Sequence, residues 1–338
     1  MGLMHKPWLL SWGWALLMPV LAVGADAPAT RRAIPAGEFM IVPEAQAQSS
    51  AFGMLMVCPA HAHGSLAEAE KKLKFLLEQK LDQPATIWVC RANPGETILR
   101  FGPLVDRIIV NPTVTGLSIA QTTGGPFWAG AKHPVLVGLC ELRRTAGDRQ
   151  LLACVDLNGE PTLFRGRKPT FDEIEWQVLA AVGGGYEGLV WRGDPDSAPS
   201  AGRLKQLCTN LRTQAADVAG ARPVAWAQAS GGDLFSAVCS ESKLFLVVLS
   251  AEYLDVRGRR ASESPVPLPL ESPEHAGEIL LAPPPEVEIL SASTLSGKPV
   301  SLTRQGDRTS LQYRFRGGGD LIICTMEKRT RTRDSAAP

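Results

Sequence analysis

TFDEIEWQVLAAVGGGYEGLVWR, residues 170–192, is the stretch on which the fold turns. Thr170 and Glu173 stand at the capping-box spacing, which satisfies two otherwise free amides at a helix start. Pro169 disfavours helix on the preceding side. Phe171, Ile174, Val178, Ala181 and Val182 recur at helical spacing and predict one apolar face. Gly183, Gly184 and Gly185 end the helix. Gly188-Leu189-Val190-Trp191 then reads as a short strand buried on both faces. A helix that turns within a few residues into a buried strand is half of a β/α unit. In such folds ligands sit beyond the strand's C-terminal end, which puts Trp191, Arg192 and Asp194 at a candidate site.

Upstream, strands are expected at Phe52–Cys58, Thr86–Cys90, Asp106–Val110 and Pro134–Leu142, with a further candidate at Thr115–Gln121. Ser65 and Glu68 make a second capping box, opening a helix that faces inward with Leu66, Ala69, Leu73, Leu76, Leu77 and Leu81. Residues 91–134 show little helix pattern. Arg149–Leu157 either continues the sheet or forms a hairpin with residues 160–164 across Asn158-Gly159. Downstream, Ser200 caps a predicted helix through Val218, with Leu204, Leu207, Leu211 and Ala215 inward. From Pro223 onward the pattern changes to short strands separated by turns, LFSAVC and LFLVVL among them, which predicts a β-sandwich.

The chain opens with Lys6 and a nearly unbroken apolar run from Trp8 to Val23, followed by small residues suited to cleavage. This reads as a secretory signal over 1–25 and implies an exported protein, periplasmic or extracellular. A run of about 16 residues falls short of the roughly 20 that a membrane span needs. The divisions that follow are a lead-in segment at 26–50, a β/α region at 51–220, a β-sandwich at 223–327 and a basic tail at 328–338. Loss of Lys6 with the signal takes the formal charge from +1 to 0, so no nucleic acid partner is expected. The seven cysteines include no CxxC pair, and most lie inside apolar runs. Buried free thiols are favoured over bridges, and neither a structural zinc site nor a cofactor is expected.

The succession of PTFDEIEWQ, a glycine turn, GLVW, another helix and a later LFLVVLS strand resembles the C-terminal half of glycoside-hydrolase-like (β/α)8 barrels that carry a small β-domain. The resemblance covers roughly residues 134–325. It implies an α/β region, a reduced or irregular (β/α) barrel, followed by a small antiparallel β-sandwich. A full barrel takes about 250 residues. Only about 170 lie between the lead-in segment and the sandwich, so the barrel is expected to be shortened. The implied activity is hydrolysis or binding of a carbohydrate at the strand ends. The alternative is a catalytically inactive carbohydrate-binding or surface interaction protein with a degenerate barrel.

Glycoside hydrolysis needs two carboxyl groups about 5–10 Å apart. Glu141, Asp156 and Asp194 each follow an apolar run, and each has a plain alternative as a strand-end charge, a turn residue or a loop cap. Glu141 and Asp194 are the preferred pair. Glu187 precedes its strand and belongs to the opposite, stabilising end. Trp191 resembles the aromatic floor under a sugar ring, and its alternative is a core tryptophan. Trp128, in the glycine-rich GGPFWAG, is a second platform candidate or a buried staple. Arg192, His61 and His63 complete the substrate-binding set; the H-x-H pair has no third ligand nearby in sequence, and no metal is expected.

Overall fold

The computed structural model describes residues 40–47, 54–58, 66–79, 84–89, 94–110, 142–158, 168–196, 198, 200–230, 233–250 and 274–328. Among the described residues, six strands form one parallel sheet: β1 (Met40–Pro43), β2 (Met54–Cys58), β3 (Ala85–Val89), β4 (Arg107–Val110), β5 (Gln150–Asp156) and β6 (Gly188–Arg192). Their spatial order is β1-β6-β5-β4-β3-β2. Every pairing in that sheet is parallel, including β5 with both β4 and β6. Arg149–Leu157 therefore continues the sheet, and the hairpin alternative falls.

The described helices are α1 (Glu44–Ala47), α2 (Leu66–Gln79), α3 (Pro94–Phe101), α4 (Phe171–Gly183), α5 (Ala201–Arg212) and α6 (Ala215–Gly220), besides a helical stretch at 142–146. Three of these differ from expectation. Pro94 takes the first helical position, where its missing N–H costs nothing, and Ile98 and Phe101 turn inward; the short motif was hidden by Gly95 and the polar residues after it. Leu142, expected at a strand end, begins the 142–146 stretch instead. The helix expected over 200–218 breaks at Thr213 and Gln214 into α5 and α6. The lead-in segment also departs from expectation, because Met40–Pro43 joins the sheet beside β6. The four apolar residues Phe39 to Val42, between Glu38 and Pro43, are too few to show a period.

The remaining strands are β7 (Arg222–Pro223), β8 (Ala227–Ala229), β9 (Leu234–Cys239), β10 (Lys243–Leu249), β11 (Glu274–Leu281), β12 (Val287–Thr294), β13 (Pro299–Val300), β14 (Leu302–Gln305), β15 (Arg308–Arg316) and β16 (Gly319–Lys328). They make two antiparallel sheets, ordered β13-β12-β16-β10-β9-β7 and β14-β15-β11-β8. The sheets share a core of Leu244, Leu246, Val248, Ile322 and Cys324 against Ile279, Leu281, Leu311, Tyr313 and Phe315. Strand β15 alternates buried and exposed residues, as a sheet with one wet face requires. Strand β10 does not: Leu244 to Leu249 are all buried. Its second face, with Phe245, Val247 and Leu249, lies in the same core as the parallel sheet.

Helix α4 makes that junction. Thr170 and Glu173 form the predicted capping box, with Thr170 N–H donating to Glu173 Oε2 at 2.8 Å and Glu173 N–H to Thr170 Oγ1 at 3.3 Å. Of its 13 residues, only Asp172 and Glu175 escape burial. It packs on β5 with one side and on β9, β10 and β16 with the other. The single apolar face expected from spacing is thus an understatement: Trp176 and Leu179 fill the other side, and Trp176 Nε1 donates to Ser250 O at 3.0 Å. Cys154, Cys208 and Cys324 are buried free thiols, as expected, and Cys239 is free but half-buried.

Candidate functional site

The parallel sheet has two distinct faces. Ile87, Ile108, Leu151, Ala153, Val155, Leu189 and Trp191 belong to the core shared with α4. Trp88, Ile109, Leu152, Cys154 and Val190 belong to a separate core with Val42 and Ala47. Strand alternation assigns the remaining polar residues to this second face. Arg107 and Gln150 sit at its N-terminal edge, where Arg107 Nε donates to Gln150 Oε1 at 2.7 Å. Burial pulls the Arg107 guanidinium down to about 10, against the opposing pull of Asp106. Asp156 and Arg192 sit at the C-terminal edge as register partners on adjacent strands. An apolar floor separates the two polar edges.

Asp156 is 1% exposed. Its Oδ1 accepts from Asn158 N–H at 2.9 Å, so the turn role expected of Asn158-Gly159 and the position on the second face coexist in one side chain. Its backbone N–H donates to Gln177 Oε1 of α4 at 3.3 Å, and Leu157 N–H to Arg192 O at 2.9 Å. These bonds fix the exits of β5 and β6 side by side. Gly193 (φ +118°) lets the loop after β6 lie against Asn158; a Cβ there would come within 2.7 Å of Asn158 Oδ1.

The other sequence candidates distribute as follows. Arg192 is half-buried beside Asp156. Asp194 is exposed, and its Oδ1 accepts from Asp196 N–H at 3.0 Å, the geometry of a loop cap. Trp191 is 3% exposed and lies in the core shared with α4, so it faces away from Asp156 and Arg192 and is not a sugar platform. The reason is parity: Trp191 alternates with Val190 and Arg192. Glu141, Trp128, His61 and His63 lie outside the described residues. Glu187 stands at the opposite end, paired with Arg143 at 3.2 Å and Arg222 at 3.6 Å. Burial raises its carboxyl above the ordinary range, and the two guanidiniums oppose that.

One residue of the second face carries no sequence signal strong enough to single it out. Trp88, 7% exposed, stands one position before the end of β3 on the same face as Cys154 and Val190. Its signal was the alternation within ATIWV, where Thr86 and Trp88 share one face and Ile87 and Val89 the other.

No family model matches the chain, and no curated protein matches it. Solved structures do. The chain is similar to α-amylases and α-fucosidases. An Anoxybacillus α-amylase aligns at 12% identity and a TM-score of 0.42, over 77% of this chain and 56% of that one. The α-amylase from H. orenii aligns at 9% identity and 0.41, over 77% and 58%. The Thermotoga maritima α-fucosidase aligns at 12% identity and 0.32, over 76% and 56%. The chain thus spans little more than half the length of these proteins. Among the described residues, no helix is long and apolar enough to cross a membrane.

Proposed function

We propose that this chain is an exported carbohydrate-active protein of glycoside-hydrolase-like type, whose glycan lies over the C-terminal edges of β5 and β6. The observation that carries this reading is the strand order. From β2 to β6 each parallel strand pairs with its predecessor in sequence, while β1 lies beyond β6. In a flat sheet the link from β1 to β2 would cross every other strand. In a sheet curled into a shortened barrel it is one ordinary step, and all downstream strand ends then share one rim. On that rim a carboxylate that only accepts and a guanidinium that only donates stand side by side, in Asp156 and Arg192. Together they match a vicinal diol, whose hydroxyls do both. Trp88 supplies an aromatic ring on the same face.

Export rests on the apolar segment at residues 8–23. The hydrolytic form of the reading takes Glu141 as the second carboxyl. A glycan-array screen on the chain without residues 1–25, followed by a reducing-sugar assay on the bound glycans, tests both steps. Asp156→Asn is expected to weaken glycan binding about tenfold or more, one lost charge-assisted bond being worth roughly 1.5–3 kcal/mol. The thermal midpoint should move little, because the amide can still accept from Asn158. Glu141→Gln is expected to abolish sugar release with binding retained. Absence of any bound glycan, or unaltered binding by the Asp156 variant, would overturn the assignment.

A further inference from the structure

The seam between the parallel sheet and the antiparallel sheets carries a concentration of acids that the glycan site does not use. Its walls are α4, α5, the loop joining β12 to β13, and the start of β16, enclosing a cleft of about 280 Å³. Of the two α4 residues that escape burial, Glu175 lines it from one side, and Asp172 stands beside it against the Gly317 turn. Asp320 of β16 faces it from the other. The glycine turn between β15 and β16 is pressed on the first turn of α4, and the Glu175 carboxylate accepts from the Gly318 backbone. Among the described residues, two positive groups lie in reach. Arg203 of α5 lies 3.6 Å from Asp172 but is mostly exposed and stacks on Phe171 at 3.8 Å from the ring centre. Lys298 of the β12–β13 loop acts on Asp320. The remaining polar groups of α5 there, Gln206 and Asn210, are neutral and bonded to each other at 2.7 Å.

We propose that this seam is a pH-sensitive clasp between the two halves of the chain, held closed while Glu175 and Asp320 carry protons and loosened as they ionise. Two carboxyls from opposite halves, with Asp172 beside them, line one cleft in which the described residues supply only a mostly exposed guanidinium and one lysine as counter-charge. Protonated, they sit in the closed seam without charge. Ionised, they repel one another and Asp172, and gain by reaching water. Burial, helped by Asp172 and Asp320, pushes the Glu175 carboxyl up to about 8, and burial raises Asp320 as well. The sign follows from linkage. The closed seam keeps protons that the opened seam, with ordinary carboxyls, releases. Closure is therefore fully favoured below the ordinary carboxylate value, weakens as pH rises from there to about 8, and changes little above.

Hydrogen exchange of the Trp176, Gly318 and Leu321 amides, corrected for the intrinsic pH dependence of exchange, reads the seam directly. Between pH 5 and pH 9 their protection in the wild type is expected to fall about tenfold or more, while amides in β3 and β4 keep theirs. In Glu175→Gln with Asp320→Asn the protection should stay flat at its low-pH value. Wild-type protection that does not change with pH overturns the proposal, whether or not the double variant folds. So does an unaltered slope in a folded double variant.

Discussion

Trp176→Ala is expected to lower the stability of the chain by about 3–5 kcal/mol, the range for an aromatic removed from a closed core. Trp176 is fully buried in the helix that packs on both the parallel sheet and the sheet containing β10. The truncation opens a void that neither sheet can fill, since each is held by its own strand pairings. It also removes the donor to Ser250 O, leaving a buried carbonyl short of its partner. Trp176→Phe separates the two contributions: it keeps most of the volume and loses the bond, so its cost should be about 1–3 kcal/mol. Urea denaturation followed by circular dichroism checks both values. Because one core passes through α4 from sheet to sheet, both halves should unfold in a single transition in the wild type. A loss below about 1 kcal/mol for the alanine variant would mean that α4 is not clamped between the sheets.

What was readable in advance follows from what a local pattern can encode. The capping box at Thr170, the helix behind it and the strand at Gly188 are set by neighbours in sequence, and all are present. The expectation that apolar segments between 54 and 191 align in parallel also holds for β2 to β6. The direction of each side chain was harder. Period two divides a strand into two faces without saying which one meets the helices. In β6 both faces are buried, so hydrophobicity gave no hint that Trp191 would join α4 while Arg192 joined the opposite face. The same ambiguity hid Trp88. The double burial of α4 is a tertiary fact: a helix reads as one-sided until a second layer, contributed 60 residues later by β9 and β10, covers its other side. The all-apolar LFLVVL was the counterpart of that layer, and the two signals make sense only together.

Gly318→Ala tests the same junction from the other side and is expected to cost about 3 kcal/mol or more, at the upper end for overpacking. A Cβ on Gly318 would overlap the Asp172 carbonyl oxygen and lie 2.9 Å from Trp176 N. Those atoms are the acceptor and donor of one turn of α4, so the new methyl would sit on a helical hydrogen bond. Neither party is a flexible side chain. To make room, the turn must lift from the helix, taking with it the Ser250 N–H bond to Gly318 O at 3.0 Å. Gly202→Ala supplies the contrast. It lies within α5 with nothing inside 4 Å of a new Cβ, and alanine there should stabilise by about 0.5–1 kcal/mol through helix propensity alone. One chemical change thus carries opposite signs at two glycines, and thermal midpoints of the two variants give the comparison. If Gly318→Ala were as harmless as Gly202→Ala, the turn would not rest on the helix. The contact that joins the two halves of the chain, and the clasp built around it, would then have no basis.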